Sequence, residues 1–173
     1  MHQWIKNLSI CFLIMFYIMS IMIREGSIDD FRIIKKIERS SFNKFAYSDD
    51  EIEYMLKTSR TLIFEEEEPE AYLSFYVEED ECHVESIAVV PRYKRSGLGT
   101  ILMRKMEDIC KMEGKKRIVL EVRERNRRAI NFYKKLGFKE SRHLENYYVL
   151  SYRGSRNAIF MVKDLCSGPE PAQ

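Results

Sequence analysis

A chain of 173 residues fits one domain and is long enough to bury a hydrophobic core without help from metals or disulfides. Its hydrophobic fraction of 45% and charged fraction of 32% exclude an intrinsically disordered chain, and a net charge of +2 gives no global reason to expect a nucleic-acid partner. The four cysteines contain no C-x-x-C pair and there are only three histidines, so the sequence predicts reduced thiols and no metal site.

The first 21 residues differ from the rest of the chain. Residues 8–23 are nearly all apolar, but this run is shorter than the roughly 20 residues of a membrane-spanning helix. No small-residue cleavage site follows, which argues against a signal peptide. Three interpretations of residues 1–21 stay open: a short anchor, an extra apolar element packed on the domain, or a stretch that precedes the true start at Met22. We place the folded domain at residues 22–165 and a C-terminal tail at residues 166–173.

In the first half of the folded region the patterns predict two helices among strands. A strand is expected at residues 21–25, and Ser27 then begins a capping box before a helix over residues 28–39. A second capping box at Ser48 opens another short helix. Three strands follow at residues 61–64, 71–77 and 82–90, and the acidic run between the first two is a solvated connection.

In the second half the predicted strands and helices alternate. A long helix is expected over residues 98–112, ended by Gly114, and a shorter one over residues 127–136. Strands are expected at residues 118–122, 147–150 and 158–162. Strands that alternate with helices after an antiparallel start predict an α/β fold with a mixed sheet.

The most informative segment is the basic turn between the strand that ends near Val90 and the helix that follows. Its residues 94–100 read Lys-Arg-Ser-Gly-Leu-Gly-Thr. Glycines let backbone amides approach a ligand closely, and the positive end of a helix lies next to them, so the segment is suited to an anion. It lacks the Gly-Lys-Ser/Thr of a Walker loop and the spacing of a dinucleotide fingerprint.

Two motifs together resemble a known superfamily. Residues 94–99 resemble the pyrophosphate-binding motif R/Q-x-x-G-x-G/A of GNAT acetyltransferases, with Lys94 in place of Arg or Gln. Residues 120–138 resemble the second GNAT motif, L-E-V-R-x-x-N-x-x-A-I-x-x-Y-x-x-L-G-F, at nearly every position. The resemblance covers essentially residues 22–165 and implies the GNAT fold, a mixed central sheet of about seven strands with a splayed parallel pair and flanking helices.

The resemblance also implies acetyl-CoA as the cofactor. In this family the pantetheine lies in the opening of the splayed strands, and backbone amides of the turn grip the phosphates. The residues expected to contact it are Ile87, Ala88, Val89, Lys94, Arg95, Ser96, Gly97, Leu98, Gly99, Thr100, Asn126 and Tyr133.

Within the superfamily the chain is most similar to N-terminal protein acetyltransferases and their ribosomal-protein relatives. The features that carry this are the H-V-x-S-I-A-V strand at residues 83–89, the tyrosine pair at residues 147–148 and the strand at residues 157–161. The resemblance implies polypeptide N-termini as substrate and a cytoplasmic enzyme, and the need for an auxiliary or ribosomal partner stays open. The expected substrate-binding residues are Phe42, Tyr47, Glu85, Tyr147 and Tyr148. Asn43 stands where the family often has proline, so the preferred N-terminal residue stays open.

Three residues are candidates for proton transfer. His83 and Glu121 are polar residues in otherwise apolar strands and are candidate bases, whereas Tyr133 is the candidate acid that protonates the departing thiolate. Other interpretations stay open for each: a solvent-facing edge histidine, a salt bridge of Glu121 to Arg117 or Arg123 on the same strand face, and a tyrosine packed on its helix face. Tyr147 and Tyr148 are alternatively part of a hairpin core.

Other functions also stay open. The enzyme could acetylate an internal lysine or a small amine such as a polyamine, although a tyrosine hairpin that narrows the groove argues against a small amine. A non-catalytic acyl-CoA-binding module is disfavoured by the intact candidate acid and bases. A nucleic-acid site at the arginines of residues 123–128 is the weakest alternative, because these arginines lie beside the expected CoA phosphates.

Overall fold

The computed structural model describes residues 22–165 of the chain. The interpretations of residues 1–21 and of the tail at residues 166–173 therefore lie outside the described residues. Within residues 22–165, no helix is long and apolar enough to cross a membrane.

The helices and strands follow the predicted order closely. The strands are β1 (Ile23–Glu25), β2 (Arg60–Glu65), β3 (Pro69–Glu78), β4 (Glu81–Val89), β5 (Arg117–Arg123), β6 (Lys139–Leu144) and β7 (Ala158–Asp164). The α-helices are α1 (Phe31–Phe42), α2 (Asp49–Thr58), α3 (Leu98–Met112) and α4 (Arg127–Lys135). Short 3₁₀ turns at Ile28–Asp30, Asn43–Phe45 and Pro91–Tyr93 complete the secondary structure of this region.

The strands form a mixed sheet in the order β1-β2-β3-β4-β5-β7-β6, which confirms the predicted fold class. β4 and β5 are parallel, whereas β1 pairs antiparallel with β2, and β7 pairs antiparallel with both β5 and β6. The parallel ladder runs from Glu81 opposite Arg117 to Val84 opposite Leu120. Because β4 continues to Val89 and β5 to Arg123, the ladder covers only the first part of each strand.

The described chain divides into two compact units. Unit 1 contains residues 22–74 and 87–106, and unit 2 contains residues 75–86 and 107–165. In unit 1 the buried faces of α1 and α2 meet the sheet in a core cluster. Its buried residues are Ile34, Ile37, Ile52, Met55, Leu56, Ile63, Tyr72 and Ala88. Spacings of three and four residues along α1 and α2 place these side chains on one face of each helix.

The core of unit 2 contains a feature that the sequence analysis predicted wrongly. Cys82 on β4 and Cys110 on α3 form a disulfide, and both residues are fully buried. We expected reduced thiols because the two residues are 28 positions apart and belong to no recognisable spacing motif. A strand and the helix that follows it bring their buried faces together through tertiary packing, which local sequence does not reveal.

One predicted strand is also wrong. Residues 147–150 are irregular, and the strand before β7 is β6, at Lys139–Leu144. The apolar run at residues 147–150 suggested a strand, yet Val149 is 88% exposed and Leu150 is 52% exposed. β6 lies at the edge of the sheet, is exposed along almost its whole length and carries polar residues on both faces. It therefore shows none of the alternation that identifies a half-buried strand.

Candidate active site

The phosphate-type turn lies in unit 1 and has the backbone that its sequence requires. Gly97 has φ +96° and Arg95 has φ +74°, both in the left-handed region. The Ser96 hydroxyl donates to the Tyr93 carbonyl at 2.6 Å, which fixes the turn directly before α3 begins at Leu98. The first N–H groups of a helix have no partner within the helix, and left-handed residues direct successive amides toward one place. The turn can therefore bind an anion at the positive end of α3.

The end of β4 that leads into this turn is held within unit 1. The Val89 carbonyl accepts a hydrogen bond from the Ser41 hydroxyl at 3.2 Å, and the Val90 N–H donates to the Glu70 carbonyl at 2.9 Å. Ala88 is 3% exposed and belongs to the core cluster, so its side chain cannot meet a ligand. Contacts of this strand with a cofactor would therefore depend on backbone groups and on the half-buried side chains of Ile87 and Val89.

In unit 2, His83 is enclosed by an aromatic ring and two carboxylates. Its ring stacks on that of Tyr76, with centroids 4.8 Å apart and planes 13° from parallel. Its Nε2 lies 3.5 Å from a Glu81 carboxylate oxygen and 3.9 Å from one of Glu78. Cys82 and Val84 are buried while His83 and Glu85 are partly accessible, which agrees with the predicted strand alternation.

Glu121 on β5 is a half-buried carboxylate in unit 2. Burial raises the pKa of its carboxyl group above the usual range, although His83, a backbone hydrogen bond, the Tyr147 hydroxyl and Arg142 favour the charged form. Burial, followed by the charge of Glu121, raises the pKa of Tyr147 to about 12. The Tyr147 hydroxyl therefore stays protonated near neutral pH and can donate to the carboxylate.

The arginines considered as salt-bridge partners of Glu121 have other contacts. Arg117 pairs with Glu81 at 2.5 Å. The Arg123 guanidinium donates to the Leu150 carbonyl at 2.7 Å and lies over the Tyr148 ring, 3.9 Å from its centroid.

The tyrosine pair is anchored to the strand that carries Glu121. The Tyr148 hydroxyl donates to the Glu121 backbone carbonyl at 3.3 Å. The rings of Tyr147 and Tyr148 meet edge to face with centroids 5.0 Å apart. Tyr147 is nevertheless 50% exposed. The structure therefore brings Tyr147 and Tyr148 together with His83 and Glu121, and Tyr147 keeps an accessible surface.

Asn126 precedes α4, and Tyr133 lies in its last turn. Tyr133 is 8% exposed, and burial raises the pKa of its hydroxyl, so the group is protonated at neutral pH. Its ring packs edge to face on Phe138 with centroids 5.7 Å apart. The Asn126 side-chain oxygen caps α4 by accepting from the Ala129 N–H at 3.2 Å. Asn126 therefore has a structural role, and its contact with a cofactor stays a prediction.

Tyr76 is a site residue that was not predicted from the sequence. A two-residue turn at Glu79 and Asp80 joins β3 to β4, and such a turn places residues equidistant from it opposite each other. Tyr76 and His83 each lie three positions from this turn, so the hairpin register was the signal that could have identified their contact. Burial, with the charges of Glu121, Glu78 and Glu85, raises the pKa of Tyr76.

The predicted substrate residues Phe42 and Tyr47 lie in unit 1. Both are half-buried and pack against the core cluster, at the two ends of the loop between α1 and α2. The three aromatic side chains of this loop, those of Phe42, Phe45 and Tyr47, each keep part of their surface accessible.

Comparison with known proteins provides evidence that is independent of the site geometry. The sequence pattern of the Acetyltransferase (GNAT) family matches residues 28–138. An N-alpha-acetyltransferase from Sulfurisphaera tokodaii is 48% identical over 67 residues, which are 38% of this chain and 40% of that protein. The ribosomal protein bS18-alanine N-acetyltransferase from Escherichia coli is 40% identical over 82 residues, 47% of this chain and 55% of that protein. The matched regions thus span less than two thirds of both relatives.

The similarity to a solved structure covers more of this chain than the sequence matches do. The crystal structure of the ribosomal-protein-S18-alanine N-acetyltransferase from Escherichia coli matches this chain with a TM-score of 0.75 and 28% identity. The match covers 88% of this chain and 99% of that one.

Proposed function

The chain belongs to the GNAT acetyltransferase family, and we propose that it transfers an acetyl group from acetyl-CoA to the α-amine of a polypeptide. The acetyltransferase domain spans residues 22–165 in this proposal. The relatives named as N-alpha-acetyltransferase and ribosomal protein bS18-alanine N-acetyltransferase support an N-terminal amine as acceptor.

The observation that carries the proposal is the polar cluster around Glu121. A half-buried carboxylate with a raised pKa lies in the fields of His83 and Arg142 and accepts a hydrogen bond from Tyr147. A raised pKa makes a carboxylate a better proton acceptor than an ordinary one. The cluster therefore supplies a weak base on a rigid strand.

A weak base suits an α-amine better than a lysine. An α-amine with a pKa of about 8 is roughly a tenth neutral at pH 7, whereas a lysine amine with a pKa of about 10.4 is neutral in far less than one molecule in a thousand. Only the neutral amine attacks a thioester. In the proposed reaction the amine nitrogen bonds to the acetyl carbon, and Glu121, directly or through His83, takes the proton that the nitrogen releases.

The residues present fit acetyl-CoA. The left-handed backbone at Arg95 and Gly97 and the exposed Lys94 give the turn of unit 1 the amides and positive charge that a pyrophosphate requires. Acetyl-CoA supplies the activated acetyl group when bound. The protonated Tyr133 hydroxyl donates a proton to the sulfur as the carbon–sulfur bond breaks, so that the thiol leaves uncharged.

The proposed peptide-binding residues belong to two loops. Phe42 and Tyr47 belong to the loop between α1 and α2, whereas Tyr147 and Tyr148 precede β7. Glu85 lies on the same face of β4 as His83 and offers a negative charge to the protonated form of the incoming amine. Aromatic side chains that stay partly accessible on fixed loops suit recognition of an extended peptide.

The test uses two peptides with acetyl-CoA and locates the added acetyl group by mass spectrometry. One peptide has a free N-terminus and no lysine, and the other has a blocked N-terminus and an internal lysine. The proposal predicts acetylation of the first peptide, and a loss of at least about 10²-fold in kcat for Glu121→Gln. The matched control is Glu140→Gln, which removes an exposed carboxylate that pairs with Lys134 on the surface.

The outcomes separate the remaining alternatives. Acetylation of the blocked peptide alone assigns the enzyme to lysine acetylation. Transfer to neither peptide, with measurable acetyl-CoA binding, contradicts the proposal and leads to a panel of small amines.

A further inference from the structure

Glu38 on α1 is a carboxylate inside an apolar core. It is 1% exposed. Ile34, one helical turn before it, and the adjacent Ile37 both belong to the core cluster of unit 1. Removing a carboxylate from water is unfavourable unless hydrogen bonds replace the lost hydration. The identity of its hydrogen-bond donors therefore indicates what the residue does.

The two carboxylate oxygens contact different parts of unit 1. One oxygen accepts from the Tyr47 backbone N–H at 2.9 Å, and the other accepts from the Tyr72 hydroxyl on β3. The first contact joins the middle of α1 to the end of the following loop. Since Tyr47 lies directly before the capping residue of α2, Glu38 fixes the point at which the loop re-enters regular structure.

The loop itself needs such a fixed point. α1 ends at Phe42, and the next residue, Asn43, is a non-glycine residue in the left-handed region with φ +55°. Residues 43–45 form a 3₁₀ turn, and the chain then extends through Ala46. Phe42 at one end and Tyr47 at the other keep part of their side chains accessible while packing on the core. A shift of the Tyr47 backbone would move the aromatic surface that the loop presents.

We propose that Glu38 is a positioning residue for the acceptor peptide, because it holds the loop at residues 42–47 through the Tyr47 N–H. This inference rests on the proposed function, in which that loop contacts the peptide. Glu38 contacts no reacting atom in this scheme. Its removal acts on peptide binding, and neither the acetyl-CoA turn nor the base on β5 depends on it.

The test compares Glu38→Leu with Tyr72→Phe. Leucine has no acceptor, so the Tyr47 N–H loses its hydrogen bond, whereas glutamine could keep it by turning its NH₂ toward the Tyr72 hydroxyl oxygen. Tyr72→Phe removes the Tyr72 donor and leaves the Tyr47 contact in place. We expect Glu38→Leu to raise the peptide KM about tenfold, with kcat and the acetyl-CoA KM within about twofold of wild type. Tyr72→Phe should leave all three constants near wild type.

Hydrogen exchange reports whether the contact is lost, and the difference between the KM values of peptide and acetyl-CoA separates positioning from a general structural effect. In Glu38→Leu the Tyr47 amide should exchange at least about tenfold faster, while amides in β2 and β3 stay protected. If Glu38→Leu does not fold, the double variant Glu38→Leu/Tyr72→Phe replaces the carboxylate and the hydroxyl with apolar groups and still removes the acceptor for Tyr47.

Unchanged peptide KM and unchanged Tyr47 exchange in the folded variant would overturn the inference, as would equal increases in the KM values of peptide and acetyl-CoA. Wild-type enzyme that acetylates no free N-terminus contradicts the proposed function. Active wild type with a Glu38→Leu variant of normal peptide KM contradicts the role of Glu38 alone.

Discussion

The rings of Tyr76 and His83 lie face to face, with centroids 4.8 Å apart and planes 13° from parallel. This stack covers one face of the imidazole, while the Glu81 carboxylate lies 3.5 Å from its Nε2. Together they restrain the rotation of His83 about its side-chain bonds. In the proposed reaction, in which Glu121 takes the proton directly or through His83, an imidazole held in one orientation transfers a proton without first losing rotational freedom.

Replacement of Tyr76 should separate the role of its ring from that of its hydroxyl. Tyr76→Leu removes the stack, and we expect kcat to fall about tenfold because His83 then samples several rotamers. Tyr76→Phe keeps the ring and should retain at least about half of the wild-type kcat. The measurement is steady-state kinetics at saturating peptide and acetyl-CoA. Equal loss in both variants would instead assign the effect to the hydroxyl.

The pH dependence of Glu121 follows from its burial, which raises the pKa of the carboxyl group. The acidic limb of kcat should therefore lie above the usual range for a glutamate. Glu121→Gln should remove this limb and lower kcat by about 10²-fold. A pH–rate profile of both proteins, measured between pH 5 and 9, checks the assignment, and an unchanged limb in Glu121→Gln would assign it to another group.

The raised pKa of Glu121 also predicts how the free energy of unfolding depends on pH. Because the folded protein binds the Glu121 proton more tightly than the unfolded chain does, ionisation of Glu121 favours unfolding. Its contribution to the free energy of unfolding is fully present below the unfolded pKa of about 4.3 and is lost as pH rises through the higher folded pKa. Relative to Glu121→Gln, wild type should lose stability across that window. Thermal melts at a series of pH values give the difference.

The sequence predicted α3 well because both of its ends carry local signals. Residues 98–112 were expected and Leu98–Met112 is observed, since Gly97 precedes the helix and Gly114 follows it. The capping box at Ser48 likewise fixed the start of α2, where the Ser48 hydroxyl accepts from the Glu51 N–H at 3.3 Å. Such signals act over three or four residues, so a single sequence contains them completely.

The features that the sequence did not predict depend on contacts between residues that are far apart in the chain. β6 is a strand because β7 supplies its hydrogen-bonding partners, and its own sequence, with exposed polar residues on both faces, carries no alternation. The candidate site, too, was only partly predictable from local sequence. The catalytic candidates on β4 and β5 were found through motifs, whereas Tyr76 became a site residue only through the register of a hairpin, and Glu38 through burial against β3.

The disulfide between Cys82 and Cys110 closes a loop over a sequence separation of 28 residues. The loop-entropy relation assigns such a crosslink about 3.5 kcal/mol of stability, mainly by restricting the unfolded chain. The variant Cys82→Ala/Cys110→Ala should therefore melt about 7–14 °C below the oxidised wild type. Calorimetry or circular dichroism measures the difference.

Reduction provides the control for that experiment. Both cysteines are fully buried, so the protein is unfolded in denaturant with a reductant and refolded with the reductant present. Reduction should lower the melting temperature of wild type and leave that of Cys82→Ala/Cys110→Ala unchanged. An equal response of the two proteins would show that the crosslink does not stabilise the fold.

Gly97 tests the phosphate turn. A Cβ at this position meets nothing within 4 Å, so the effect of a side chain comes from its φ of +96°, which a non-glycine residue rarely adopts. Gly97→Ala should lower the free energy of unfolding by about 1–2 kcal/mol because of local backbone strain. Relaxation of the turn should also raise the acetyl-CoA Kd about tenfold. Isothermal titration calorimetry with acetyl-CoA measures this change.

Gly114 is the matched control, because it also has a left-handed φ, +70°, and open space where a Cβ would lie, but it follows the far end of α3. Gly114→Ala should lower the melting temperature by a similar amount and leave the acetyl-CoA Kd unchanged. The contrast between the two variants isolates the turn from the general cost of backbone strain. A normal Kd for Gly97→Ala, or an equal rise in both variants, would contradict the assignment of the phosphates to this turn.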